Sequence, residues 1–175
     1  MTIFTTSNMN QKQMQQVKNE NTNDDEMTFE KHYINCIEYQ GFGNSSASEN
    51  GRKYVIENKS KIKLFKYKID GGLINDDNEF KCDYGFYTID DILYLVELKG
   101  RDYGHAIDQI INTIQLLLKK PQISVAKVNS RIIVSKISQP ELRSSNEKKL
   151  KIMLDSYCHD NDNMKKQSIQ MTELI

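Results

Sequence analysis

From Ile92 to Lys99 the chain reads ILYLVELK, and its alternation is apolar on both sides until the last residues. Ile92, Tyr94, Val96 and Leu98 fall on one face, Leu93, Leu95, Glu97 and Lys99 on the other. A strand apolar on both faces belongs in the middle of a sheet that is covered on both sides. Residues 79–88 read as a second strand, joined to the first by a tight turn around Ile89, Asp90 and Asp91. A turn centred on Asp90 sets Asp83 across from Glu97, Gly85 across from Leu95 and Tyr87 across from Leu93.

Other segments carry weaker patterns. The spacing of Met27, Tyr33, Ile34 and Ile37, with acids at the front, predicts a first helix starting at Asp25. Residues 41–51, GFGNSSASENG, have no periodicity and read as a loop. In 52–70 the composition is strand-like but the phase changes: Ile62 and Leu64 share one face, Phe65, Tyr67 and Ile69 the other, which predicts a bulge near Leu64. GGLINDD (71–77) is a turn signal. Asp102 is placed to cap a helix running to Lys120, where Pro121 stops it. ISVAKVNSRIIVSK is rich in β-formers, NEKKLKIMLDSY reads as a closing helix, and the final NDNMKKQSIQMTELI fits either a short strand or a fraying end. Residues 1–24 are rich in Asn, Gln, Thr and Met and cannot bury enough surface to offset their ordering entropy, so they are predicted to be a disordered polar tail before a single domain over 25–175. This order of elements predicts an α/β protein with a mixed central sheet flanked by helices.

Charge narrows the functions less than pattern does. Of 175 residues, 24 are Lys or Arg and 24 are Asp or Glu, so no global field draws the protein to nucleic acid or an anionic membrane, and any such attraction must be local. The richest basic stretch holds Arg52, Lys53, Lys59, Lys61, Lys63, Lys66 and Lys68 against Glu57, with Tyr54, Phe65 and Tyr67 between them. It suits either a phosphate backbone or a solvated strand edge, where lysine blocks edge-to-edge pairing. No apolar run approaches the roughly 20 residues that span a bilayer, and the N-terminus has no signal-like core, so no membrane partner and a cytoplasmic location are expected. Cys36, Cys82 and Cys158 lack metal-site spacing and are expected to be free thiols buried as small hydrophobes. His32, His105 and His159 are scattered and give no nucleophilic triad.

The hairpin is where chemistry concentrates. In its register Asp83, Glu97 and Lys99 converge on one face, and two carboxylates facing each other repel unless a cation sits between them. Mg2+, with Mn2+ as a substitute, takes an octahedral oxygen shell from one or two carboxylates, waters and substrate phosphate. Asp83, Glu97 and the carbonyl of Leu98 are the expected ligands, and Lys99 is placed to orient or deprotonate an attacking water and to stabilise charge on a phosphate. The alternative is that Glu97 and Lys99 form an ordinary surface salt bridge.

CDYGF and, after it, YLVELKG resemble the Asp and Glu-x-Lys motifs of the PD-(D/E)XK nuclease superfamily. The resemblance implies a restriction-endonuclease-like αβββαβ core, metal binding by Asp83 and Glu97, and assistance to water by Lys99. It also implies a role for Gln109, which is similar to the Gln that resolvase-like and RecB-like branches carry on the helix after the motif strand. The implied activity is that of a magnesium-dependent nuclease acting on nucleic acid, DNA more than RNA, with a homodimer left open. The chain departs from the pattern at the Pro of the name, where Lys81 and Cys82 precede Asp83, and the register sets Lys81 against Lys99. The likeness spans about residues 25–135. Beside it stand a nuclease-fold module that binds nucleic acid or a protein without cutting, and an unrelated α/β partner or immunity protein. His105 and Gln109 share one helix face, either aimed at the site or simply polar; Glu30 is an auxiliary acid or solvated, and Asp70 is more a turn residue than a ligand.

Overall fold

The computed structural model describes residues 28–136 and 145–175, so the expected tail over 1–24 lies outside the described residues. A helical turn α1 (Phe29–His32) precedes β1 (Ile37–Gly41), β2 (Ser45–Glu49), β3 (Arg52–Glu57), β4 (Leu64–Lys68), β5 (Tyr84–Thr88) and β6 (Ile92–Lys99). Then come α2 (Tyr103–Ile114), β7 (Lys127–Val134), α3 (Ser145–Asp155), β8 (Met164–Ser168) and β9 (Gln170–Leu174). Six strands form a mixed sheet in the order β1-β4-β5-β6-β7-β8, and three form a smaller sheet in the order β2-β3-β9. The α/β class with a mixed sheet is as expected.

β6 sits inside the larger sheet, antiparallel to β5 and parallel to β7, and both of its faces are covered. Leu93 and Leu95 pack into a core shared with Ile107, Ile110, Ile111 and Ile114 of α2 and with Leu150 and Leu154 of α3. Tyr94, Val96 and Leu98 pack into a second core with Tyr54 and Ile56 of β3, Ala47 of β2 and Met171 of β9. Helices therefore cover one face of the large sheet and the small sheet covers the other. The hairpin register matches the alternation argument: Gly85 pairs with Leu95 and Tyr87 with Leu93. Asp91 closes the turn with φ +60, and its carboxylate accepts hydrogen bonds from the Tyr87 hydroxyl (2.8 Å) and the Ala126 amide (2.6 Å), fixing the turn to the entry of β7.

α2 begins where its cap requires. Asp102 Oδ1 accepts the His105 amide at 2.9 Å, satisfying an otherwise orphaned donor, a contact typically worth about 1 kcal/mol. Past Ile114 the helix widens to i→i+5 hydrogen bonding over Gln115–Lys119, so that Leu117 and Leu118 both enter the core before Pro121.

Four expectations are corrected. The first helix is a single turn ending at His32, and Ile37 lies on β1, where Ile37, Tyr39 and Gly41 alternate with exposed Glu38 and Gln40; the helical spacing coincided with an alternating pattern. The loop over 41–51 contains β2, whose Ala47 is buried against the large sheet. Residues 52–70 are two strands in different sheets, linked through Lys61 at φ +54, and the bulge falls on β1, between Ile37 and Tyr39, instead of near Leu64. The strand expected over 79–88 starts at Tyr84, because residues 79–82 are held against α2.

The two sheets share a tie. Ile169, at φ +65, separates β8 from β9; its amide donates to Val134 on β7 (2.8 Å) while its carbonyl accepts from Lys53 on β3 (2.9 Å). Nearby, Arg131 of β7 is 2% exposed and forms a two-pronged ion pair with Glu173 of β9, Nε to Oε2 at 2.5 Å and the second nitrogen to Oε1 at 3.2 Å. Its remaining nitrogen donates to the carbonyls of Ser130 and Asp162, both at 3.0 Å.

Candidate active site

The candidate site lies where β6 ends. Asp83 stands one residue before β5, and its Oδ2 accepts the Leu98 amide at 2.6 Å, so its carboxylate turns toward the last residues of β6. Glu97 is 2% exposed on the helix side of the sheet, and its Oε2 has no hydrogen-bond partner. Lys99 comes next on the same face, with Nζ 2.9 Å from Oε1 of Gln109 and 4.0 Å from Oε1 of Glu97. Gln109 in turn donates Nε2 to the Lys81 carbonyl at 2.7 Å. The structure thus brings together Asp83, Glu97, Lys99 and Gln109, drawn from two strands' ends and one helix.

Electrostatics reflect this crowding. Burial, and then the neighbouring negative charge of Asp83, push the Glu97 carboxyl up to about 9, with Lys99 pulling back only in part. Burial likewise raises Asp83 to about 6, while its bond from the Leu98 amide favours the charged form. Glu49, at the tip of the β2–β3 hairpin, adds negative potential at both carboxyls, and Asp70 adds it at Asp83. Both carboxyls bind protons more tightly folded than unfolded. Their stabilising contribution is therefore fully present below pH about 4 and is lost as pH rises through about 6 and then about 9. Denaturation of metal-free protein across that range is expected to show stability falling toward alkaline pH, with a shallower fall in Glu97→Gln. Equal slopes for the two proteins would mean that Glu97 titrates normally.

No family model, curated protein or solved structure matches the chain.

Whether they fit a divalent cation turns on the donors. Among the described residues no group of three or more His, Cys, Asp or Glu side chains is arranged as a metal site. Magnesium, however, is commonly held by only one or two carboxylates, the rest of the shell being water and substrate oxygens. The unpartnered Oε2 of buried Glu97, beside a second carboxylate and in a field made more negative by Glu49, is the kind of oxygen a cation satisfies. Asp83 and Glu97 fit. The Leu98 carbonyl is already an acceptor for Nε of Arg52 at 2.7 Å, so a cation would have to share it with a guanidinium.

Arg52 and Glu49 are the residues near the site that sequence reasoning missed. Arg52 belongs by sequence to the basic stretch suited to a phosphate backbone, yet it is 8% exposed and bonds Leu98 and Ser135, the latter at 2.9 Å. A signal was present: Asn50-Gly51 between two alternating segments marks a two-residue hairpin, and both residues have the positive φ such a turn needs. The basic stretch is divided between the two sheets, and several of its lysines have partners of their own. Lys66 pairs with Glu38 at 2.8 Å, Lys59 with Glu57 at 3.7 Å, and Lys63 lies over the Phe65 ring.

The Lys81–Lys99 contact expected from the register does not arise. Lys81 turns to the 70–77 turn, where its Nζ donates to the Asp76 carbonyl at 2.7 Å and lies 3.4 Å from Asp70. That turn needs Gly72, since a Cβ there would sit 2.1 Å from the Lys68 carbonyl oxygen. Asp70 is thus a turn residue paired with Lys81. Glu30 lies by Tyr67 and Tyr87 instead of reaching Asp83. All three cysteines are free, but only Cys82 is buried; Cys36 and Cys158 are exposed, contrary to expectation, Cys36 closing a short helical turn before β1 and Cys158 lying three residues past the end of α3. No helix among the described residues is long and apolar enough to cross a membrane.

Proposed function

We propose that the protein is a metal-dependent phosphodiesterase acting on nucleic acid, a nuclease of the PD-(D/E)XK type on a restriction-endonuclease-like core. The observation that carries this reading is the buried, unpartnered oxygen of Glu97 set beside Asp83 and near Lys99. A buried carboxyl that keeps one oxygen without a partner, although the Asp83 backbone and Lys99 lie beside it, is more economically explained by a ligand than by the fold. Asp83 and Glu97 would hold Mg2+ or Mn2+. A divalent ion there would supply Lewis-acid polarisation of a phosphoryl oxygen and a more acidic water. Lys99, anchored by Gln109, is placed to orient the attacking water and to face charge building on the phosphate.

Two measurements test this. Purified protein is incubated with plasmid, single-stranded DNA and RNA in the presence of magnesium, manganese or a chelator; strand cleavage in either metal and none in chelator is expected, and no cleavage of any substrate counts against the reading. Calorimetric titration with manganese is expected to show one binding event that Asp83→Ala abolishes. Its heat should differ between buffers of different ionisation enthalpy, because the Glu97 carboxyl gives up its proton to become a ligand. Metal binding without cleavage would favour the non-cutting module.

A further inference from the structure

We infer that Phe80 is a stacking platform for an unpaired nucleobase beside the candidate site. The substrate class would then be nucleic acid carrying an unstacked nucleotide next to the scissile phosphate. This deepens the phosphodiesterase reading above and rests on it. Phe80 is 53% exposed, which alone is unremarkable for one apolar side chain. What sets it apart is how firmly it is held and where.

The backbone beneath it is strapped to α2. The Phe80 carbonyl and the Glu79 carboxylate both accept from Nδ2 of Asn112 at 2.7 Å. The Lys81 carbonyl accepts from Gln109, and the Cys82 amide donates to Oγ1 of Thr113 at 2.9 Å. These hydrogen bonds offset the conformational entropy of ordering the segment and fix the backbone from which the Phe80 ring projects. The ring is also oriented: His105, one helical turn before Gln109, meets it at 4.8 Å between centroids and 81° between planes. More than half of a large aromatic side chain is thereby presented to solvent in a set direction.

The position ties the ring to the chemistry. Phe80 precedes Lys81, whose carbonyl orients Gln109, and Gln109 orients Lys99. The same strap runs on to Asp83, three residues later. Lys99 and exposed Arg101 supply positive charge at the start of α2. An exposed aromatic ring set against the same helix as the residue that anchors Lys99 is one element of single-strand recognition, in which an exposed base stacks on an aromatic side chain. A base inside a duplex has both faces covered by its neighbours and offers none to Phe80.

The test measures binding of the full-length native protein, in chelator, where no cleavage is expected, to a labelled single-stranded oligonucleotide and to the matching blunt duplex. The single strand is expected to bind more tightly. Adding Phe80→Ala should weaken single-strand binding about 5- to 100-fold and leave duplex binding unchanged, while Phe80→Trp should retain it. Oligonucleotides with one abasic position should show a site at which the loss equals that of Phe80→Ala and at which the two losses do not add. Unchanged single-strand affinity in Phe80→Ala, or equal loss on both substrates, overturns the platform. The two readings fail separately: cleavage by native protein with no Phe80 effect sinks only the platform, and a Phe80-dependent strand preference with no metal-dependent cleavage sinks only the nuclease.

Discussion

Lys99→Ala should lower metal-dependent cleavage about 100- to 10,000-fold while leaving manganese affinity close to that of the native chain. The range is that expected for removing a positioned acid–base group. Metal affinity should survive because the expected ligands are Asp83 and Glu97, and Lys99 lies 4.0 Å from the nearer Glu97 oxygen, too far for a strong bond. Gln109→Ala should give a smaller loss, about tenfold, since it frees the ammonium without removing it. Single-turnover rates with saturating metal separate these effects from binding. Cleavage that persists undiminished in Lys99→Ala would remove the lysine from the mechanism even with a genuine nuclease activity in hand.

The largest effect on stability should come from the pair between the two sheets. Glu173→Ala leaves the guanidinium of Arg131, 2% exposed, without its counter-charge, and breaking a buried pair from one side costs about 3–5 kcal/mol. For a chain of this size that corresponds to a fall in Tm of roughly 6–20 °C. Replacing both residues by apolar ones of similar volume, Arg131→Met with Glu173→Leu, should restore most of the loss, because no bare charge remains in the interior. Chemical denaturation of Arg131→Met, Glu173→Leu and the double variant, beside Glu173→Ala, checks this. Additive losses in the double variant would show that the residues act independently and that the pair is not what joins the layers.

These two regions were not equally legible in the sequence. The hairpin register could be read because β6 is apolar on both faces and its turn is short, so a shift by one residue would have moved Glu97 and Lys99 away from Asp83. α2 was readable from its cap, its stripe and its proline stop. The small sheet was not. β2 reads Ser-Ser-Ala-Ser-Glu and buries only Ala47 deeply, so its strand character comes from partners instead of from its own side chains. β8 and β9 depend on strands more than thirty residues away in sequence, which no local pattern reports. Arg131 illustrates the limit: a charged residue in an apolar strand gives no hint that its counter-ion waits near the C-terminal end of the chain. Arg52 escaped for the same reason, since its acceptor is a backbone carbonyl of β6.

The reversal at Ile169 carries a consequence for how the molecule comes apart. One peptide segment hydrogen-bonds to β7 through its amide and to β3 through its carbonyl, so the small sheet is stitched to the large one by a continuous thread. Peeling β3 away, with Arg52 seated on Leu98, would pull on the same thread and on the end of β6. The small sheet and the large sheet that carries the candidate site on its other face are thereby coupled into one cooperative unit, and loosening either loosens the end of β6, which carries Glu97 and Lys99.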